Sequence, residues 1–363
     1  MPSLIDLVEA VGDQYALVTG GIVIGALFGF FAQRSRFCLR AAVIEVARLQ
    51  FGSKLAVWLF AFSAAVVATQ LLALNGQFDT ANVRQLASRG SLSGALIGGL
   101  MFGAGMILAR GCSSRLLVLA ANGNLRALLS GLIFAVTAQA SMHGILAPAR
   151  EALGNLWTID GGQARDLLAL TGMGNDGGLL FGLVWLAAGV FFALRARTPL
   201  WGWIGGIGCG VMVAAAWWFN FTLAQISFEP TAIKSLSFTG PAADMLMLVL
   251  TPAGQVLNFD HGMVPGVFLG SFIAALLARE LKLEGFQGGA AMRRYIAGAL
   301  LMGFGGMLAG GCAVGAGVSG AAVFAVTAWV TLCGMWAGAA LTDWLVDRRG
   351  AQAETPSTYP AHP

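Results

Sequence analysis

A Gly-Cys pair occurs twice in this chain, each time at the end of a glycine-rich apolar segment. The first pair is Gly111-Cys112 and the second is Gly311-Cys312, so the two cysteines lie 200 residues apart. We interpret this spacing as a duplication that places a cysteine at the same position of each half. At this offset the second segment repeats the identity of Gly98, Leu100, Gly103, Gly105, Leu108, Ala109, Gly111 and Cys112.

The composition indicates an integral membrane protein. Of the 363 residues, 57% are hydrophobic and only 10% are charged, whereas soluble domains carry about 25% charged residues. The mean hydropathy is +0.77, and the apolar runs match a membrane-spanning helix of roughly 20 residues. We therefore predict an all-α integral membrane protein with about nine transmembrane helices. The predicted spans lie near residues 17–34, 55–75, 94–111, 126–147, 178–196, 201–220, 264–281, 295–311 and 321–346.

The basic residues predict the orientation of these spans. When about nine spans are threaded alternately, every basic cluster falls on one side, which the positive-inside rule assigns to the cytoplasm. The N-terminus is then expected outside and the C-terminus inside. The clusters are Arg34/Arg36/Arg40/Arg48/Lys54, Arg110/Arg115/Arg126, Arg195/Arg197, Arg279/Lys282/Arg293/Arg294 and Arg348/Arg349.

The duplicated halves have opposite predicted orientations. Within a single membrane domain over 1–363, the first half covers 15–150 and the second covers 200–346, with a connecting helix at 178–196 and a polar tail at 350–363. Four spans precede the connecting helix and four follow it, so the first half starts outside and the second starts inside. Inverted repeats of this kind are typical of transporters and channels, with the site near the membrane midplane.

Re-entrant or broken helices with short loops are expected at the waist between the halves. Glycines end the two apolar segments at Cys112 and Cys312 and allow a close approach of the backbone. At the same offset Cys38 falls opposite Phe238, and the segment Ser237–Pro241 is predicted to be a non-helical loop that dips into the second half. Non-helical backbone at membrane depth is tolerated where it is buried in protein or lines a cavity.

Three of the five cysteines are candidate ligand-binding residues: Cys38, Cys112 and Cys312. Cys209 and Cys333 lie inside apolar helices without a repeat partner, so we interpret them as packing residues. In an apolar environment a thiol stays protonated and is a weak S–H donor, which suits an anion that carries soft sulfur. Nearby arginines would attract an anion to the cytoplasmic mouth, although each is equally a topology anchor: Arg34, Arg36, Arg40, Arg110 and Arg115.

These motifs resemble the YeeE/YedE family of bacterial inner-membrane sulfur-compound transporters. The resemblance rests on the paired Gly-Cys loops, on Phe37-Cys38 and on the segment Ser237–Pro241, and it extends over residues 15–346. It implies a multi-pass, hourglass-shaped inner-membrane protein that takes up thiosulfate, with a periplasmic N-terminus. It further implies that Cys38, Cys112 and Cys312 relay the anion by transient hydrogen bonding. One departure is Arg115, where we expect glycine.

The sequence predicts the partners and the substrate-binding residues. The partners are thiosulfate or a related sulfur anion, the lipid bilayer and a cytoplasmic sulfur-carrier or sulfurtransferase protein, with no nucleic acid. No cofactor, metal or catalytic residue is expected, because the chain contains no Walker A, zinc or Rossmann motif. The candidate substrate-binding residues are Cys38, Cys112, Cys312, Gly111, Ser113, Gly311, Phe238, Arg36 and Arg40.

Two alternatives stay open. A membrane enzyme that handles persulfides or disulfide exchange would need a resolving cysteine beside the attacking one, and the sequence contains no close pair. A transporter of a selenium compound or another organosulfur anion would use the thiols equally well. Ionisable residues in membrane segments are functional candidates, and of these His143 is predicted to lie within a span. The set is Glu45, His143, Glu229, Asp244, Asp260, His261 and Asp343.

The predicted topology can be tested with reporter fusions. We expect fusions after Arg349 to report a cytoplasmic location and fusions within 155–165 to report an external one, because alternate threading separates these segments. Paired alkaline-phosphatase and fluorescent-protein fusions at both sites measure this directly. The same location for both fusions would contradict the inverted repeat.

Overall fold

The computed structural model is an almost entirely helical membrane protein. Glu229, Arg349 and the polar tail at 350–363, which were named in the sequence analysis, lie outside the described residues. Everything below concerns the described part of the chain, which comprises residues 12–227, 231–252, 254, 256–286 and 288–348.

Nine helices of 17 or more residues correspond one to one with the predicted spans. Seven segments are long and apolar enough to cross a membrane, and α14 and α15 below are two further helices of 20 and 17 residues. The nine are α1 (Asp13–Ser35), α3 (Ser53–Leu74), α5 (Leu92–Leu108), α7 (Leu125–His143), α10 (Gly174–Arg195), α11 (Leu200–Ile226), α13 (Phe259–Leu277), α14 (Gly289–Leu308) and α15 (Val326–Thr342).

Shorter elements connect the long helices. A two-stranded antiparallel sheet pairs Gly90 with Ile159 and Ser91 with Thr158. The described residues also include a 3₁₀ segment at Gly162–Arg165 and π-helical segments at Gly315–Gly320 and Asp343–Arg348. The short helices and strands are α2 (Leu39–Ala47), α4 (Arg84–Ala87), β1 (Gly90–Ser91), α6 (Ser113–Ala121), α8 (Ala147–Gly154), β2 (Thr158–Ile159), α9 (Leu167–Thr171) and α12 (Gly240–Leu250).

Glycines on α5 and α14 bring the two Gly-Cys helices into backbone contact. A Cβ on Gly98 would lie 2.5 Å from the carbonyl oxygen of Gly305, and one on Gly105 would lie 2.6 Å from that of Gly298. At the 200-residue offset Gly98 corresponds to Gly298 and Gly105 to Gly305, so each glycine contacts the counterpart of the other. Reciprocal contact of this kind is what a two-fold axis between the helices produces.

The remaining long helices pack in matching pairs. Helix α1 packs on α13, and the corresponding pair is α11 on α3. Likewise α5 packs on α15, and the corresponding pair is α14 on α7. The α1–α13 contacts run in the same direction, since Gly21 faces Phe259, Gly25 faces Met263 and Gly29 faces Val267. These pairings and directions agree with alternate threading of inverted halves, and the repeat itself stays an interpretation.

One end of the helix bundle, called the basic end, carries a set of ion pairs. Arg48 donates to Asp343 at 2.7 and 3.1 Å, and Arg348 lies 3.5 Å from the same carboxylate. The hydrogen bonds that Arg48 donates to Asp343 raise the pKa of the Arg48 guanidinium. Asp347 similarly receives Arg294 at 2.5 Å and Arg40 at 3.8 Å. The basic clusters of both halves therefore meet at one end, with Asp343 and Asp347 as shared counter-ions.

Several ionisable residues named from the sequence cap helices. Glu45 accepts hydrogen bonds from the backbone of Gly52 at 3.1 Å and Leu55 at 2.8 Å, at the start of α3. Helix α13 begins five residues before the predicted span, so His261 lies in its first turn and accepts from Asn258 N at 3.1 Å. Helix α7 ends at His143, which is exposed. The prediction that His143 lies inside a span is therefore replaced by a position at a helix end.

The close glycine packing predicts a stability effect. Gly98→Ala should destabilise the protein by about 1–3 kcal/mol, because the new methyl group would meet backbone atoms of Gly305 and Ala109. Gly131→Ala is the matched control, since a Cβ there meets nothing within 4 Å. Thermal unfolding in detergent should show a lower midpoint for Gly98→Ala only. Equal midpoints for the two variants would contradict the packing argument.

Candidate functional site

The first candidate cysteine lies at the break between α1 and α2. Helix α1 ends at Ser35, and the next residue, Arg36, adopts a left-handed backbone conformation with φ of 55°. Phe37 follows and is buried, and Cys38 is the extended residue that precedes the first turn of α2. The thiol is half-buried. The chain therefore reverses into a second, shorter helix whose N-terminus carries Cys38.

The second candidate cysteine lies at an equivalent break between α5 and α6. Cys112 is buried and precedes the first turn of α6, with its sulfur 3.4 Å from Ser114 Oγ. The sequence predicted that the glycines beside Cys112 and Cys312 end the two apolar helices. The left-handed residues are Arg110 with φ of 56° and Gly310 with φ of 77°, each two positions before the cysteine. The two breaks therefore share a backbone conformation although one has arginine where the other has glycine.

Cys312 is fully buried and differs from the other two in its hydrogen bonding. Its sulfur accepts backbone N–H groups from Phe238 and from Gly315, each at 3.3 Å. Gly315 begins the π-helical segment Gly315–Gly320, and Phe238 belongs to the non-helical stretch before α12. The prediction of a non-helical loop over Ser237–Pro241 is confirmed for Ser237–Thr239 and is wrong for Gly240 and Pro241, because α12 begins at Gly240 and proline is tolerated in the first turn of a helix.

Contacts between side chains connect the two cysteine regions. The thiols of Cys38 and Cys112 lie close enough to interact. Phe28 of α1 lies between two further aromatic rings, with centroids 6.3 Å from Phe37 and 5.8 Å from Phe238. The three aromatic side chains are all buried. An apolar group of rings therefore joins the Cys38–Cys112 pair to the loop that contacts Cys312.

The structure changes one residue of the repeat alignment. Cys38 immediately precedes α2 and Thr239 immediately precedes α12, so Cys38 corresponds to Thr239, and Phe37 to Phe238. Thr239 is buried and its hydroxyl finds no hydrogen-bond partner among the described residues. Sequence reasoning missed Thr239 because it used a fixed offset of 200. Matching Phe37-Cys38 with Phe238-Thr239 would have found it.

The remaining small candidate residues lie at the same breaks. Gly111 and Gly311 are buried, and Gly311 packs tightly on Ala316, whose nitrogen would lie 2.9 Å from an added Cβ. Gly111 has more room, since its nearest neighbour would be at 3.5 Å. Ser113 is buried with a hydroxyl that has no partner within the described ranges. The unpaired hydroxyls of Ser113 and Thr239 are polar groups available to a ligand.

The two arginines proposed from the sequence are already paired. Arg36 is exposed and lies 3.3 Å from Glu280, whereas Arg40 is half-buried beside Asp347. Arg40 is nevertheless within electrostatic range of the Cys38 thiol. Among the other arginines, Arg34 stacks over the ring of Trp201 at 4.3 Å and Arg110 is exposed. Their surroundings favour roles in packing and orientation.

Three short helices begin at the candidate residues. Helices α2, α6 and α12 begin directly after Cys38, Cys112 and Thr239. The first N–H groups of a helix are not used within it, and they form the positive end of the helix dipole. Each break therefore carries a positive potential without side-chain charge. A helix N-terminus of this kind favours a bound anion.

The other thiols and metal ligands do not form a second centre. Cys209 is buried and Cys333 is exposed, and all five cysteines of the described chain are free thiols. Across the described residues no group of three or more His, Cys, Asp or Glu side chains is arranged to hold a metal ion. The chemistry available at the site is therefore that of thiols, hydroxyls, backbone N–H groups and nearby guanidinium groups.

Comparison with known proteins adds independent information. The family model described as sulphur transport matches residues 34–341. A thiosulfate transporter named TsuA from Spirochaeta thermophila is 26% identical over 355 residues, which cover 92% of this chain and 100% of that protein. The thiosulfate transporter TsuA from Escherichia coli is 24% identical over 354 residues, which cover 92% of this chain and 96% of that protein.

Proposed function

Because this chain belongs to the sulphur transport family, we propose that it carries thiosulfate across the membrane through a central pathway lined by Cys38, Cys112 and Cys312. Two relatives that align with this chain over nearly their whole length are named thiosulfate transporters, and the chain is a multi-pass membrane protein. The thiols would pass the anion along by transient hydrogen bonds, with no covalent bond to sulfur.

The observation that carries this proposal is the position of the three cysteines. Each lies at a break in the helices, and two of them precede the first turn of a short helix. A broken helix inside a membrane protein is tolerated where it is buried or lines a cavity. The breaks therefore provide the free N–H groups, the hydroxyls of Ser113 and Thr239 and the thiols that a dehydrated anion needs.

The chemistry of these groups favours thiosulfate over sulfate. Thiols are weak hydrogen-bond donors and acceptors, and transfer of a strongly hydrated anion without matching hydrogen bonds is costly. The terminal sulfur of thiosulfate is less strongly hydrated than an oxygen and is a natural partner for an S–H group. The buried rings of Phe28, Phe37 and Phe238 would strengthen this selection, because they offer no hydrogen bonds at all.

A second candidate function is supported by the contact between Cys38 and Cys112. Adjacent thiols meet the requirement of a membrane enzyme that exchanges disulfides or handles persulfides, which the sequence alone did not provide. The names of the relatives support the transporter instead. Mass spectrometry after exposure to thiosulfate distinguishes the two. A transporter should keep its intact mass. In a persulfide enzyme a thiolate would attack the terminal sulfur of thiosulfate, the S–S bond would break and sulfite would leave, so the protein should gain the mass of one sulfur atom.

We also propose the cellular setting. The basic end would face the cytoplasm of a bacterial inner membrane, with the N-terminus in the periplasm. A cytoplasmic sulfur-carrier or sulfurtransferase protein would then receive the anion at the basic end. A selenium or organosulfur anion remains an alternative substrate, since thiols would bind it by the same contacts.

Replacement of single cysteines should distinguish thiols that bind the ligand from thiols that only pack inside the protein. Cys112→Ala and Cys312→Ala should each reduce uptake of radiolabelled thiosulfate by at least about tenfold, the effect of one lost hydrogen bond of roughly 1.5 kcal/mol to a charged ligand. Cys38→Ala should also impair uptake. The measurement uses proteoliposomes with equal amounts of each folded variant.

Cys209→Ala and Cys333→Ala are the matched controls. They remove a thiol of the same size from α11 and α15, away from the helix breaks, and should leave uptake close to that of the parent protein. Normal uptake by Cys112→Ala or Cys312→Ala at equal protein levels would rule out a relay of the anion through the three thiols. An essential Cys209 or Cys333 together with a dispensable Cys38 would show that the pathway is assigned to the wrong thiols.

Substrate selectivity should follow softness more than charge. Unlabelled thiosulfate should compete strongly with labelled thiosulfate, and sulfate at the same concentration should compete weakly, because the two dianions differ in one terminal atom. The triple variant Cys38→Ser, Cys112→Ser and Cys312→Ser should stay inactive although serine is the stronger donor. Equal competition by sulfate, or full activity of the triple serine variant, argues against thiol-based selection.

A further inference from the structure

Arg115 is a cation placed beside the two thiols of the first half. It is the third residue of α6 and follows Cys112 by three positions, so both lie near the N-terminus of the same helix. Its guanidinium is half-buried and lies within electrostatic range of the Cys38 and Cys112 thiols. Arginine at this position is the one departure from the expected family pattern.

The charge of Arg115 lacks a direct counter-ion. Over the described chain, no carboxylate lies within 4.0 Å of its guanidinium, although Arg36, Arg40, Arg48, Arg294 and Arg348 all have such partners. A charge held away from water is costly unless it is paired. Arg115 contacts the amide of Gln33 and lies near two thiols, so an anionic ligand would supply the direct partner that it lacks among the described residues.

A neutral side chain holds the guanidinium in place. Arg115 Nη1 donates to Gln33 Oε1 at 3.4 Å, and Gln33 is 4% exposed. The amide nitrogen of Gln33 donates in turn to Glu280 Oε2 at 2.8 Å, whose other oxygen lies 3.3 Å from Arg36. Gln33 thus separates the positive charge of Arg115 from the negative charge of Glu280.

We propose that Arg115 is an anion-binding residue on the path between the Cys38–Cys112 pair and the basic end of the protein. This inference deepens the proposed function and rests on it. Gln33 positions the guanidinium through its amide oxygen. Glu280, which is already within electrostatic range of Arg115, acts as a fixed negative charge that limits how tightly the anion is held.

The expected ligand is a small tetrahedral dianion with exposed oxygen atoms. A guanidinium presents several N–H donors in one plane and binds such oxygens in pairs, whereas thiols interact with the soft sulfur. Arg115 therefore contributes affinity for charge and the cysteines contribute selectivity. The two contributions should be separable, because sulfate and thiosulfate offer the same oxygens to an arginine.

The test compares Arg115→Gln and Arg115→Lys with a matched charge control. Arg293→Gln removes one positive charge from an exposed position of α14, beside Arg294 at the basic end. In proteoliposomes we expect Arg115→Gln to raise the KM for thiosulfate by about tenfold or more, as for a lost charged hydrogen bond. Arg115→Lys should recover much of that loss, and Arg293→Gln should leave the KM unchanged.

Two further readouts separate a binding role from a structural one. Arg115→Gln should keep the preference for thiosulfate over sulfate, because the thiols are intact. Glu280→Gln should lower both the KM and the maximal rate, since the anion is then held more tightly and released more slowly. An unchanged KM in Arg115→Gln, or an unchanged KM and rate in Glu280→Gln, would overturn the proposal.

A binding measurement keeps this inference distinct from the proposed function. Thermal unfolding of the purified protein in detergent is followed while thiosulfate or sulfate is added, because a ligand that binds the folded state raises the midpoint. Absence of thiosulfate uptake by the parent protein would refute the proposed function alone. Stabilisation by anions that is lost in Arg115→Gln and kept in Arg115→Lys supports the anion site, and equal stabilisation of all three proteins refutes it.

Discussion

The site depends on backbone-to-backbone packing through glycine. Helix breaks expose N–H and C=O groups, which in a membrane must be buried in protein or face a cavity. The α5–α14 contact supplies that protein environment, because Gly98 and Gly105 let the two cysteine-bearing helices touch through their carbonyl groups. Each helix then ends in a left-handed residue, Arg110 or Gly310. The thiols follow two residues later, in a region that surrounding helices keep closed to lipid.

The two halves use the same frame for different chemistry. In the first half the thiols of Cys38 and Cys112 lie close enough to interact, with the cation of Arg115 nearby. In the second half Cys312 accepts two backbone N–H groups, and Thr239 stands where the alignment of the halves places the other thiol. The first region therefore contains two thiols and a cation, the second contains a hydroxyl, and the ring of Phe28 lies between them.

The sequence predicted the helices well because hydrophobic length is a local property, and each of the nine spans corresponds to one helix. It predicted the non-helical backbone at Ser237–Thr239 but missed that α12 begins at Gly240, because proline is tolerated in the first turn of a helix. The fixed offset of 200 residues aligned Cys38 with Phe238 and not with Thr239, because the loops of the two halves differ in length. The Arg115–Gln33–Glu280 arrangement could not be predicted, because its members come from α6, α1 and the segment after α13, which only the packed fold brings together.

In the proposed site, selectivity and affinity would rest on separate groups. A guanidinium distinguishes anions by charge and oxygen geometry, so Arg115 alone would hold sulfate as well as thiosulfate. Thiols distinguish them by softness, yet their weak hydrogen bonds give little affinity. With both next to each other, the anion would lose its water at the thiols while the cation offset the cost of dehydration. Glu280 would then limit how tightly the anion is held, since a transporter must release its ligand, and the Gln33 amide lies between the two opposite charges.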